Sequence, residues 1–164
     1  MMSLSEPEVR TVGYLATVHG RFFRAVAPGF EQSALSGSLR AGRYSRPDQP
    51  TLYLSSSEAG VRAAMMAHSG SNEHRHVLEF DVKAADVFDL RAPHALEEVR
   101  RKAGDPLADW QGIAARGGGP ASWRARDWIE SIGAKGLIDP SRKGPGLWHL
   151  VLFSWNVAGG PTVS

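Results

Sequence analysis

The chain contains no cysteine in its 164 residues. That excludes disulfides and thiolate metal ligands and agrees with a cytoplasmic protein. No stretch approaches the ~18 consecutive apolar residues that a membrane-spanning helix needs, so no membrane role is expected. The opening "MMSLSEPEVRTVGYLATVHG" has early acids and no apolar core segment, so it is not expected to be a secretory signal. Charge of one sign is also scarce: 19 Lys and Arg stand against 17 Asp and Glu, a net charge of +2. With a pI near 9.2, the mild basicity suits a small anionic ligand at least as well as nucleic acid. A dedicated nucleic-acid domain concentrates more Lys and Arg on one face, so direct nucleic-acid binding is not expected.

Several catalytic and binding signatures are missing too. Gly-x-Ser-x-Gly does not occur. "GSLRAGR" (37–43) imitates a phosphate loop but lacks the Lys-Ser/Thr ending. His74 and His76 lie two apart with no carboxylate at ligand spacing, which reads as a solvated turn, and no metal is expected. "ARGGGPASWRAR" (115–126) reads as a flexible loop running into a helix more than as an Arg/Gly/aromatic nucleic-acid segment.

What is present is enough for a packed core: 42% hydrophobic residues and five tryptophans. With no repeat and no linker, residues 1–164 read as one domain. Its core runs from about 21 to 156, after an N-terminal extension and before a frayed tail, "VAGGPTVS". Strands are expected at "RFFRAVAP" (21–28), "TLYL" (51–54), "VLEFDVK" (77–83), "DVFDL" (86–90) and "GLI" (136–138). "LWHLVLFSW" (147–155) is apolar on both faces and reads as a central buried strand.

Helices are expected after "SSSE", at "PHALEEVRRKAG" (93–104) and at "ASWRARDWIESIG" (121–133). The last has an inner stripe of Ala125, Trp128, Ile129 and Ile132. Strands and helices interleave without regular βαβ repetition. That predicts an α+β fold with a mixed or antiparallel central sheet and flanking helices.

The most informative stretch is "AGRYSRPDQPTLYLSSSEAGVRAAMMAH" (41–68). A basic loop with Arg43 and Arg46 enters a strand that ends in serines at a helix start. Backbone N–H groups, hydroxyls and guanidiniums gathered in this way suit a phosphate, and Arg24 in the preceding strand could add a second bidentate grip. The plain alternative is surface arginines with serines that only cap the helix. Ser55 and Glu58 have capping-box spacing, and Val61, Ala64, Met65 and His68 share one helix face.

The chain resembles the RES domain family, the toxin half of a bacterial toxin–antitoxin pair. The resemblance rests on "FRAVAP" (23–28), "LSG" (35–37), "GRYSRP" (42–47), "TLYLS" (51–55), "DL" (89–90), "GLIDPSR" (136–142) and "GLWHLVLF" (146–153) in that order. It implies an ADP-ribosyltransferase-like fold and cleavage of the nicotinamide–ribose bond of NAD by hydrolysis, phosphorolysis or ADP-ribosyl transfer, making the protein a hydrolase or transferase. NAD would be the substrate, and no metal is implied because the leaving group is already a cationic pyridinium. The implied partner is an Xre-like helix-turn-helix antitoxin, and a homodimer is compatible with the sequence.

The family's Arg and Ser match Arg43 and Ser141. The resemblance gives Arg43 the pyrophosphate and Ser141 a ribose hydroxyl or a phosphate. Tyr44 and Tyr53 could stack on or hydrogen-bond the ligand, with core packing as the alternative for each. The family's acid falls at Ala64, which cannot supply a carboxylate. Glu58 is the nearest acid, yet six helical residues separate the two by ~9 Å of rise and ~120° of rotation. His68, one turn beyond Ala64, reads as a structural histidine. The resemblance therefore leaves three outcomes: an enzyme with Glu58 or another acid as a substitute, a weaker enzyme that works from binding and positioning alone, or a module that binds an NAD-like ligand or an antitoxin without turnover.

Overall fold

The structure, a computed structural model, describes residues 6–62, 75–142 and 144–164. Seven strands form one mixed sheet: β1 (Glu8–Val12), β2 (Leu15–Val26), β3 (Leu52–Ser55), β4 (His76–Asp89), β5 (Gly136–Pro140), β6 (Trp148–Leu152) and β7 (Thr162–Val163). The order is β1-β2-β3-β6-β5-β4-β7, and β2 also pairs with β4 along its length. Strands β2, β3, β6, β5 and β4 therefore close into a ring. Only β4 and β5 run parallel. The weakest seam is between β2 and β3, which share the single pair Phe23↔Ser55.

Three helices, α1 (Pro93–Ala103), α2 (Gln111–Ala115) and α3 (Ala121–Ser131), complete the described fold with a helical turn at 58–62. Strand periodicity sorts the core in two. Val18, Phe22, Leu52, Leu54, Ile138, Leu150 and Leu152 fill one cluster. Leu137 and Val151, their neighbours one residue out of phase, meet Ala95 and Val99 of α1 and Ala125 and Ile129 of α3 in the other. Strand β6 is buried on both faces, as the apolar residues on both sides of it predict.

The structure departs from the sequence reading in five places. Residues 8–19 are not an extension: they pair as a hairpin, Glu8↔His19 through Val12↔Leu15, turning at Gly13 with φ 66°. The tail is not frayed. Val163 is 4% exposed, pairs with Val82, and is tied by its N–H and C=O to the Asn156 side chain.

The stretches "VLEFDVK" and "DVFDL" are one strand, because a bulge absorbs the intervening residues: Val18 opposes Ala84 but Ala16 opposes Val87, with Asp86 at φ 57°. Ser57, not Ser55, caps the helical turn, its Oγ accepting from Gly60 N at 3.1 Å. On α3, Ile132 is exposed, while Trp123 and Arg126 are buried against the 42–51 loop.

Candidate functional site

The segment "GRYS" (42–45) is short, polar and lacks regular structure apart from a bridge between Gly42 and Ser45. Side chains from two other elements fix it. The Trp123 indole donates to Gly42 O at 2.8 Å and Arg126 Nη1 to Tyr44 O at 3.0 Å. The carbonyls on either side of Arg43 are thus held from α3, three residues apart on one helix face. From β3, Tyr53 Oη accepts from Tyr44 N at 3.1 Å and bonds Ser45 Oγ at 2.7 Å. Gly42 is needed there, since a Cβ would lie 2.6 Å from the Tyr53 hydroxyl.

Arg43 projects from this clamped loop. Its Nη1 donates to the carbonyls of Pro106, at 3.0 Å, and Ala108, at 2.6 Å. Among the described residues, no carboxylate is hydrogen-bonded to it. Partial burial, and then the nearby Arg142 guanidinium, lower its pKa. Two cations therefore crowd one place, a cost that an anion would relieve.

Two carboxylates offset this repulsion at Arg43: Asp139 on β5, which is 5% exposed, and Asp109. Asp139 accepts the Tyr44 hydroxyl at 2.7 Å and a two-pronged grip from Arg142 at 3.2 and 3.1 Å. Burial and then the adjacent Asp139 charge hold the Tyr44 phenol well above its usual pKa, so it stays a neutral donor.

Antiparallel register extends the site sideways. Asp139 lies opposite His149 on β6, and His149 opposite Ser55 on β3, so the three form one row across neighbouring strands. Ser55 Oγ and His149 Nδ1 are 2.9 Å apart. Burial holds the His149 pKa below the ordinary histidine value against the opposing pull of Asp139, with Arg142 adding to the lowering.

Of the residues expected from sequence, Ser55 belongs to this row and Arg43 is acted on by the Asp139 charge. Ser141, next to Arg142, donates its N–H to Leu147 O at 2.8 Å. Tyr53 is half-buried beneath the loop, where it serves the loop's geometry. Tyr44 cannot stack on a ligand as expected: it is 0% exposed and its hydroxyl is bound to Asp139.

Arg24 is a partly buried cation with no carboxylate partner among the described residues, and burial lowers its pKa. Its Nη1 donates to Tyr53 O at 3.1 Å, bridging the seam where β2 and β3 diverge. Glu58, the first residue of its helical turn, faces solvent and pairs with Arg62 at 3.6 Å. It is not among the charges acting on His149. Ala64, His68 and His74 lie outside the described residues.

Sequence reasoning did not single out Asp139, Arg142 and His149. All three sit inside the quoted segments "GLIDPSR" and "GLWHLVLF", and the signal was a polar residue within each apolar strand. Among the described residues, no three His, Asp or Glu side chains group to hold a metal ion. No described helix is long and apolar enough to cross a membrane.

The family model for the RES domain matches residues 21–163. The chain belongs to the RES domain family. A solved structure, the crystal structure of the M. tuberculosis MbcT–MbcA toxin–antitoxin complex, matches this RES chain with a TM-score of 0.51 at 16% identity. The match covers 82% of this chain and 73% of the other. The shared fold is α+β and ADP-ribosyltransferase-like, as the sequence predicts. No curated protein matches the RES sequence.

Proposed function

We propose that this RES domain, read as one domain over 1–164, is a toxin that cleaves the nicotinamide–ribose bond of NAD. The observation that carries this reading is the convergence of Arg43 and Arg142 at Asp139, whose two oxygens are already taken by Arg142 and Tyr44, while Arg43 hydrogen-bonds only backbone carbonyls among the described residues. A pyrophosphate placed there would take Arg43's unused guanidinium edge and relieve the repulsion. This reading gives Ser141, next to Arg142 in the chain, the ribose hydroxyl or phosphate contact that the family resemblance implies.

Membership in the family, together with the toxin–antitoxin complex as a structural neighbour, supports a cytoplasmic toxin held in check by a partner protein. An Xre-like antitoxin covering the Arg43 face is the partner this reading favours. Titration calorimetry tests the ligand. NAD, ADP-ribose and ADP should compete for one site and nicotinamide alone should not. Arg43→Ala should weaken all three by ~10- to 100-fold, the worth of a charge-assisted bond. Binding of NAD that ignores Arg43→Ala would remove the reading's foundation.

One observation favours a second reading, a module that binds an NAD-like ligand or its partner without turnover. Glu58, the expected substitute acid, faces Arg62 rather than the cluster. Losing a group that stabilises transition-state charge costs ~10²–10³ in rate, so undiminished NAD binding with no nicotinamide release would favour this alternative.

A further inference from the structure

Among the described residues, the Arg43 cluster has one neutral base with an open lone-pair position. Asp139 has both oxygens engaged by Tyr44 and Arg142. Glu58 pairs with Arg62 on the helical turn. The other described histidines belong elsewhere: His94 bonds Gly13 O and stacks on Tyr14, His76 pairs with Glu31, and His19 lies in the hairpin. His149 is different. Its Nδ1 is held by Ser55, while its Nε2 has no hydrogen-bond partner among the described residues, and the side chain is half-buried. Asp139, directly opposite His149 in the β5–β6 register, carries the Arg142 fork, so the imidazole stands in the strand row next to the Arg142–Asp139 pair.

We propose that His149 is a catalytic base that takes the proton from an attacking water, with Ser55 fixing its ring through Nδ1. This rests on the NAD-cleaving reading. As the ribose C1′–nitrogen bond breaks, its electron pair leaves with nicotinamide. A lone pair of the water oxygen forms the new bond to C1′, and the water's proton passes to His149 Nε2 and then to solvent.

The tautomer carrying hydrogen on Nδ1 donates to Ser55 Oγ and leaves the Nε2 lone pair free. The same bond persists when the ring is protonated, so the ring need not turn during the transfer. Groups facing the ring are Asp139 and Arg142 from the β5 side, the Ser55 hydroxyl from β3, and Gly60 of the helical turn, where a Cβ would lie 3.7 Å from His149 Cε1. Burial is the largest influence and keeps the imidazole neutral, as a base must be.

The test compares acceptors, because phosphate dianion attacks without surrendering a proton. Purified wild-type protein and His149→Gln are incubated with NAD, with and without inorganic phosphate, and nicotinamide, ADP-ribose and ADP-ribose 1″-phosphate are measured. Water-driven release should fall by ~10²-fold in the variant, and phosphate-driven release far less, so the product ratio shifts toward the phosphate product.

The wild-type pH profile is a second measurement that does not depend on the variant's folding. Hydrolysis should show an acid limb with its midpoint below the ordinary histidine value of about 6.5. Equal losses with both acceptors, or a hydrolysis rate flat across that limb, would overturn the role of His149 and leave the NAD-cleaving reading standing. No nicotinamide from wild type under any condition would end both.

Discussion

Arg126, 3% exposed on α3, reaches the Tyr44 carbonyl at 3.0 Å and the Thr51 hydroxyl at 2.5 Å through one nitrogen. Its Nε bonds Glu130 at 2.5 Å and its plane lies 4.5 Å over the Phe153 ring. A helix side chain thereby sets the backbone on one side of Arg43. Arg126→Ala should destabilise the fold by about 3 kcal/mol, because it strands buried acceptors and removes packing. Arg126→Lys keeps the charge without the fork and should recover only part of that loss. Urea unfolding midpoints of the two variants check this, and equal stability of Arg126→Ala and wild type would contradict it.

Tyr44 and Asp139 should behave as one unit. Tyr44→Phe removes a hydrogen bond to a buried carboxylate, for which about 1.5–3 kcal/mol is expected. Asp139→Asn also loosens Arg142. Because both changes break the same 2.7 Å contact, the double variant should be less destabilised than the sum, with a coupling of about 1 kcal/mol. Strict additivity in a double-mutant cycle would show that the contact contributes nothing.

Gly42 tests the tightness of the loop. An alanine methyl would lie 2.6 Å from Tyr53 Oη and 2.9 Å from Ser45 Oγ. Gly42→Ala should therefore destabilise by roughly 1–3 kcal/mol and weaken NAD binding. Gly119→Ala, where nothing lies within 4 Å of the new methyl, is the control and should be near neutral. Calorimetric unfolding with NAD titration separates the two positions.

His149 gives stability a pH dependence with a definite sign. Its folded pKa is depressed by burial, so below the unfolded value of about 6.5 the unfolded chain binds a proton that the folded one refuses. Stability should fall as pH drops from about 6.5 toward the folded pKa, and this contribution should vanish above that window. Comparing urea midpoints of wild type and His149→Gln from about pH 5 to 8 isolates it: the variant should lose part of the acid-side slope. An identical slope in both proteins would contradict the assignment.

Much of this was legible in the sequence wherever a local pattern decides structure. The two-sided apolarity of "LWHLVLF" reports a buried strand, and the Pro93-to-Gly104 helix begins and ends on its own signals. The roles proposed for Arg43 and Ser141 rest on motif resemblance. Tertiary partnerships were not legible. Arg126 looked like one charge on an amphipathic helix, since nothing local announces a carbonyl 82 positions away. His149 and Asp139 looked like interruptions of apolar strands, because only strand register places them side by side. Tyr44 reversed its expected role because a phenol beside an arginine reads as a ligand contact until its burial is seen. The hairpin at 8–19 was overlooked although "TVGYLATV" carries the Gly turn and β-branched flanks of one.

The central claim is that Arg43 directs cleavage of the nicotinamide–ribose bond. Its most direct test is the time course of free nicotinamide from NAD with purified wild-type protein and Arg43→Ala at matched folded concentration. The account predicts steady release by wild type and a loss of at least ~10²-fold in the variant, as expected when a preorganised charge partner is removed. Equal release by both proteins would contradict it.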